Sequence, residues 1–311
     1  MIDATSKAFF HTISRSRPLK RLATRYGMAG RWGFARRFIA GEDVDDVIAA
    51  ARVVQAGGLA ITLDYLGESV SEAREAERAT QEYLDVIDRV VAAGIERNIS
   101  LKLSQLGLDQ GTALCTGNLR RILEHSAPHG YFVRIDMESS AYTEATLQIF
   151  ETLWTEGFRH VGVVLQSALR RSTDDLPRLS ALGARIRLVK GAYKEPREVA
   201  WQRKSDVDAA YIRLAHALLQ QAHYPAFATH DPAMIDAVKA YAQERGILRD
   251  RFEFQMLYGI RRDLQTSLAA EGYTVRVYIP FGREWFPYFM RRLGERPANV
   301  GFVIRSLLRD R

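Results

Sequence analysis

The chain has 311 residues, 47% of them hydrophobic, enough to bury one barrel-sized core or two smaller ones. Charge interrupts its apolar runs well short of the roughly 18 residues of a membrane-spanning helix. The start does not read as a secretory leader, and the single Cys115 excludes an intramolecular disulfide and any multi-cysteine metal site.

The net charge of +7 is unevenly placed. Residues 1–41 carry nine basic side chains (Lys7, Arg15, Arg17, Lys20, Arg21, Arg25, Arg31, Arg36 and Arg37) against Asp3, a segment charge of +8 that leaves about −1 for the rest. Apolar and aromatic residues such as Phe9, Phe10, Leu19, Tyr26, Trp32 and Phe38 are interspersed, the pattern of basic amphipathic helices. Such helices dock on anionic lipid, bind nucleic acid, or pack an apolar face on the protein with their charges in water. Nucleic acid fits least, because no zinc finger, RNA-binding sheet signature or heptad-backed basic region accompanies the charge. A basic helical segment over 1–41 is therefore expected to precede a catalytic domain over 42–311.

From Leu59 onward strand-like and helix-like patterns alternate. The strands are predicted at 59–66 (LAITLDYL), 99–105 (ISLKLSQ), 131–137 (YFVRIDM), 160–166 (HVGVVLQ), 185–191 (RIRLVKG), 225–230 (PAFATH), 252–259 (FEFQMLYG) and 274–280 (TVRVYIP). Helical periodicity runs between them, for example over Ser71–Ala93 and Val199–Ala222. Short strands alternating with helices pair in parallel through right-handed crossovers, and eight such units predict a closed (β/α)8 barrel. A doubly wound open sheet is the second architecture, but LDYLGES offers only Gly67 where a dinucleotide fingerprint needs several glycines.

In such a barrel the chemistry sits at the C-terminal ends of the strands. Polar residues stand there: Asp64 and Glu68, Lys102, Asp136, Gln166, Arg187 and Lys190, Thr229-His230-Asp231, and Tyr278. Charged groups on barrel strands are costly unless paired or bound to ligand, so several together point to a polar ligand site. Some of them pointing outward into structural ion pairs is the plainer reading of any one. After the last strand, Tyr288 lies i,i+3 from Arg291 and i,i+4 from Arg292, and Glu295 follows a turn later. Two guanidinium forks on one helix face suit a small carboxylate; the plainer reading is a solvated Arg–Glu face.

None of the seven histidines forms an HExxH sequence, and there is neither a GxSxG elbow nor a Walker sequence. Cys115 is expected on a loop or helix remote from the strand ends. Redox chemistry at this site would need a cofactor, which the residues alone do not choose.

The run Tyr278-Ile-Pro-Phe-Gly, Trp285, Pro287-Tyr288, Arg291-Arg292 and Glu295-Arg296-Pro297-Ala298-Asn299 resembles the C-terminal signature of the proline dehydrogenases, flavoenzymes that oxidise proline. ISLKLSQLG, RIDME, RLVKGAY, FATHD and FEFQMLYG resemble further blocks of that family in the same order, so the likeness covers roughly residues 59–305. The resemblance implies a distorted (β/α)8 barrel holding non-covalent FAD. Matched residue by residue, it implies that Arg291, Arg292 and Lys102 bind the carboxylate of L-proline, while Tyr278, Tyr288 and Leu257 pack on its ring. Asp136 would be a catalytic-site carboxylate organising Lys102, and Arg187 the arginine near the flavin N5. Met137, Gln166, Lys190, Gly191, Ala192, Thr229 and His230 match flavin contacts, and Glu68 an acid that shuts the site.

The implied product is Δ1-pyrroline-5-carboxylate, with electrons passing to a membrane quinone. The chain stops about 20 residues beyond the arginine pair, so a monofunctional type is expected, its product consumed by a separate pyrroline-5-carboxylate dehydrogenase. Departures are slight: Phe281 and Gly294 stand where Tyr and Ala are frequent. Two alternatives stay open at this level: a lyase or aldolase with Lys102 or Lys190 as a Schiff base, and an inactive membrane-binding scaffold. The expected location is cytoplasmic, with peripheral contact to an anionic membrane through residues 1–41.

Overall fold

A computed structural model describes residues 34–67 and 70–295 of the chain. Eight parallel strands close on themselves in sequence order, β1 (Ala60–Tyr65), β2 (Asn98–Leu101), β3 (Phe132–Ile135), β4 (Val161–Gln166), β5 (Arg185–Val189), β6 (Ala226–Ala228), β7 (Glu253–Leu257) and β8 (Thr274–Phe281). The barrel closes where β1 pairs with β8, from Ala60 opposite Arg276 to Tyr65 opposite Phe281. Helix α1 (Val44–Ala56) precedes β1. One helix follows each strand: α2 (Ala73–Ala93), α3 (Thr112–Ser126), α4 (Ser140–Thr155), α5 (Ser172–Ala181), α6 (Lys204–Gln221), α7 (Pro232–Glu244), α8 (Arg262–Ala270) and α9 (Trp285–Glu295).

The helices pack by the periodicity of their sequences. In α2, Ala76, Ala79, Tyr83, Val86, Ile87 and Val90 form one buried stripe, a reciprocal Glu72–Glu75 capping box starts the helix, and Gly94 at φ +67° ends it. Strand residues such as Ile61, Leu63, Ile99, Leu101, Val133 and Ile135 meet those stripes in the main core.

The alternate strand residues point into the barrel, and on six strands they are polar: Thr62 and Asp64, Ser100 and Lys102, Arg134 and Asp136, Arg185 and Arg187, Glu253 and Gln255, Arg276 and Tyr278. Bonds between strands that are not neighbours, such as Arg187 to Ser100 and Tyr278 to Asp136, must cross this interior. On β4 the corresponding residues are Gly162, Val164 and Gln166 and on β6 Ala226 and Ala228; a Cβ on Gly162 would stand 2.7 Å from Arg134 Nη1, so that arginine fills the space over the glycine.

Two predicted boundaries shift for visible reasons. The strand expected over 99–105 ends at Leu101, because the chain turns with Gln105 N donating to Lys102 O at 3.2 Å. The helix expected from Val199 begins at Lys204. Residues 199–201 instead bond to the loop after β4: Arg170 N donates to Val199 O at 3.0 Å, Trp201 N donates to Ala168 O at 2.8 Å, and the Arg170 guanidinium lies 3.8 Å from the Trp201 ring centroid.

Residues 1–33 lie outside the described part, and with them seven of the nine basic residues of the N-terminal segment. Its described end, a short turn of helix at Phe34–Arg37, continues across the C-terminal end of the barrel. Ala40 N donates to Pro280 O and Gly282 N to Gly41 O, both at 2.9 Å. Gly259, at φ +72°, admits this crossing, since a Cβ there would stand 1.7 Å from Arg37 O. Ala35, Phe38 and Ile39 then share a second core with Leu66 after β1, Ile260 after β7, and Trp285, Phe286, Phe289 and Met290 of α9. That core fixes α9 over the C-terminal ends of β7, β8 and β1.

Candidate active site

Four of the predicted site residues meet directly inside the barrel. Asp136, just beyond β3, accepts from Arg187 Nη1 at 2.6 Å on one oxygen and from the Tyr278 hydroxyl at 2.6 Å on the other. Lys102 Nζ stands 4.0 Å from that second oxygen and 3.3 Å from Asp64 Oδ1. Arg187 is 5% exposed, and its remaining bonds go to Gln255 Oε1 at 2.5 Å and Ser100 Oγ at 3.0 Å. Its guanidinium also sits 5.4 Å from the Tyr278 ring centroid. Two cations and two carboxylates thus neutralise each other in a desolvated volume, the condition under which buried charges are tolerable. Burial, with Asp136 and Asp64 nearby, pushes the Tyr278 phenol well above its ordinary value, so it stays a hydrogen-bond donor.

A polar column continues below this cluster. Gln255 donates to Glu253, which receives both Arg276 Nε and Nη2 at 2.9 Å, and Arg276 Nη1 reaches Glu96 at 2.5 Å and Ile61 O at 2.6 Å. Burial alone favours a neutral acid at Glu253, but the bidentate Arg276 holds it below the usual carboxylate range.

The other predicted residues stand on α9 and at or just beyond the C-terminal ends of the strands. On α9 the Arg292 guanidinium lies 5.1 Å from the Tyr288 ring centroid, as the i,i+4 spacing requires, and Arg291 and Arg292 are half-buried. The side chain of Glu295 and the whole of Glu68 lie outside the described residues, so the expected ion pair and gate do too. Leu257 is half-buried at the end of β7; its backbone N donates to His230 Nε2 at 2.9 Å, which fixes the neutral imidazole with its proton on Nδ1. Thr229 is buried and accepts from Asp231 N. Gln166, buried at the end of β4, donates to Glu138 O at 2.7 Å beside Met137. Gly191 takes φ +110°, with Ala192 exposed next to it; a Cβ on Gly191 would come within 2.9 Å of Gln166 Oε1. Lys190 turns to the side, between Asp208 at 2.6 Å and Asp231 at 2.8 Å.

Four members of the arrangement were not assigned a site role from the sequence: Asp64, Ser100, Gln255 and Glu138, whose carboxylate accepts from Ser104 N and Oγ. Cys115 is buried on α3, with its thiol pushed up to about 12 by burial, and so carries no nucleophile. No cluster of His, Cys, Asp and Glu able to hold a metal occurs among the described residues, nor any helix long and apolar enough to cross a membrane.

Both the sequence and the closed eight-stranded barrel have counterparts among known proteins. Residues 47–305 match the profile of the proline dehydrogenase family. The chain belongs to that family. It is 42% identical over 313 residues to proline dehydrogenase of Deinococcus radiodurans, covering 99% of this chain and 100% of the relative. It is 41% identical over 302 residues to proline dehydrogenase 2 of Bacillus subtilis, covering 97% and 98%. Among solved structures, proline utilization A from Bdellovibrio bacteriovorus inactivated by N-propargylglycine superposes with a TM-score of 0.78 at 27% identity. That match covers 84% of this chain and 32% of the larger protein. The proline dehydrogenase barrel is therefore the fold that the polar strand pattern builds here.

Proposed function

We propose that this proline dehydrogenase family member oxidises L-proline to Δ1-pyrroline-5-carboxylate, using FAD and passing electrons to a membrane quinone. The observation that carries the reading is the Lys102–Asp136–Arg187–Tyr278 cluster at the mouth of the barrel, with Tyr288, Arg291 and Arg292 on the helix that follows β8. Lys102, Arg291 and Arg292 bind the proline carboxylate, and Tyr278, Tyr288 and Leu257 pack on its ring. Fixing the ring in this way supplies part of the rate through orientation. The inactivator named with the Bdellovibrio protein, N-propargylglycine, is likewise a secondary amine bearing a carboxylate.

The residues present fit FAD. Ala226 and Ala228 put only methyl groups on the β6 side, and Gly191 keeps the space beside Gln166 free of a side chain that would clash at 2.9 Å. A heteroaromatic ring system would take its hydrogen bonds from Gln166 Oε1, the Thr229 hydroxyl and the exposed backbone of Gly191 and Ala192, with Met137, Lys190 and His230 matched to the same region by family resemblance. Bound flavin supplies the hydride acceptor that no side chain here provides. Arg187 adds positive charge to that region while Asp136 and Gln255 hold it in place. Arg187→Ala is expected to lower the flavin potential and slow reduction more than it weakens proline binding, since a nearby cation favours the anionic reduced form. Dye equilibration reads the potential, and an unchanged value would remove Arg187 from this role.

A Schiff-base lyase fits the geometry less well. Lys102 is ion-paired between Asp64 and Asp136 and Lys190 between Asp208 and Asp231, whereas a Schiff-base lysine needs its amine free to attack a carbonyl. Proline-dependent reduction of a soluble quinone analogue by the FAD-loaded chain tests the proposed reaction. Flavin-free protein that cleaves a carboxylate substrate without redox change would replace it.

Peripheral contact with an anionic membrane brings the chain to the quinone, and a separate pyrroline-5-carboxylate dehydrogenase consumes the product. Arg36 lies 3.6 Å from Asp46 and Arg37 rests against the Phe38 ring, so lipid contact falls to the basic residues from Lys7 to Arg31. At about 1 kcal/mol per basic residue near an anionic surface, neutralising four of them removes about 4 kcal/mol of binding. Co-sedimentation with anionic vesicles at low salt should fall accordingly in that variant; equal pelleting of the two proteins contradicts it.

A further inference from the structure

Asp64 ends β1 inside the barrel, 1% exposed, and is not explained by the roles assigned above. Its Oδ1 lies 3.3 Å from Lys102 Nζ, while Oδ2 is buried with no hydrogen-bond partner among the described residues. The Tyr278 hydroxyl is committed to Asp136 Oδ2 at 2.6 Å. The titratable and charged groups facing Asp64 are Lys102 from β2, Asp136 from β3, Tyr278 from β8 and Tyr83 from α2, with Arg187 of β5 behind Asp136. Burial pushes the Asp64 carboxyl above its ordinary value; Lys102 and the nearby Tyr278 hydroxyl oppose that shift and Asp136 adds to it.

Asp64 is too deep for a ligand to reach, so it acts through Lys102. With the site empty, Asp64 neutralises the ammonium and aims it. A ligand carboxylate competes for the same ammonium and adds a negative charge beside Asp64 and Asp136. A buried carboxylate that loses its counterion is strongly disfavoured, and protonation is the direct relief. We propose that Asp64 is a positioning residue, the resident counterion of Lys102, and takes up one proton from solvent when a substrate carboxylate draws that ammonium away. No bond other than O–H forms, Lys102 stays charged, and the site accepts the ligand without accumulating negative charge.

The inference rests on the reading of Lys102 as a carboxylate ligand. Its sign is fixed by linkage. The complex holds more protons than the free protein, so affinity for a carboxylate falls as pH rises between the free and bound titrations of Asp64, by up to about tenfold per pH unit.

Tetrahydrofuran-2-carboxylate, the ring-oxygen analogue of proline, is a suitable probe because it has no amine proton to confuse the count. Calorimetric titration of the FAD-loaded full chain in two buffers of different ionisation heat, at one neutral pH, gives the protons exchanged. Wild type is expected to take up close to one proton per site, and Asp64→Asn to bind the analogue with that uptake abolished. Undiminished uptake in Asp64→Asn overturns the inference. If Asp64→Asn does not hold flavin, the wild-type pH profile decides: a flat affinity across the neutral range overturns it, and a tenfold-per-unit fall supports it. Lys102→Met reports on the underlying reading separately, since unchanged affinity in that variant removes Lys102 from the carboxylate site whatever Asp64 does.

Discussion

Replacing Arg291 or Arg292 by Met is expected to lower kcat/KM for proline by roughly 30- to 1000-fold and to leave FAD in place, because on the proposed reading each donates a charged hydrogen bond to the substrate carboxylate whose loss costs about 2–4 kcal/mol. The fold makes these positions informative. Helix α9 is anchored by Trp285, Phe286, Phe289 and Met290, and Trp285 Nε1 donates to Glu42 at 2.8 Å, so the helix survives loss of either arginine. The Arg292 variant also loses the cation that rests on the Tyr288 ring, and its effect should be the larger of the two. Most of the loss belongs in KM, since binding of the carboxylate precedes chemistry. Steady-state kinetics with flavin content measured in parallel checks it; normal kinetics in both variants sinks the carboxylate assignment.

The second large effect is on stability. Arg276→Met is expected to destabilise the barrel by about 3–5 kcal/mol, because it leaves Glu253, 1% exposed, as a buried carboxylate without its bidentate partner. Gln255 and Arg187 hang from Glu253 in the same chain of bonds, so activity should fall with stability. Changing both partners, Glu253→Leu with Arg276→Met, should cost less than the single change, since no unpaired charge remains. The pH dependence has a definite sign. Glu253 is held below its ordinary value in the folded state, so the pair's contribution is fully present above the unfolded-state value and is lost as pH falls through the folded one. Denaturant midpoints of wild type and variants, at neutral pH and at a pH below the ordinary glutamate value, measure both statements.

Alternation of strands and helices was enough to read the barrel from the sequence, because each strand is short, apolar on its helix-facing side and bounded by turns. Boundaries failed where tertiary contacts overrode local pattern, as at Val199–Trp201, which bond to the loop after β4 before α6 begins. Lys102, Asp136, Arg187 and Tyr278 were legible as polar strand-end residues, and their meeting follows from parity along the strands. The same parity marks Gln255 and Glu253 within FEFQML, two polar residues on one face of an otherwise apolar strand. They lie away from the strand ends where barrel chemistry is expected, but this interior is polar from end to end. Asp64 stood in plain view but without a task, since only the structure shows one oxygen held by Lys102 and the other unpartnered. No spacing encodes a flavin contact, so the expectation that Met137, Gln166 and Lys190 to Ala192 approach one rests on family resemblance alone.

The most direct test of the account is anaerobic addition of L-proline to the FAD-loaded chain, followed in the visible flavin band. The account predicts that proline bleaches the band, with one Δ1-pyrroline-5-carboxylate formed per flavin reduced. A chain that binds no flavin, or whose band is unmoved by saturating proline, would contradict it.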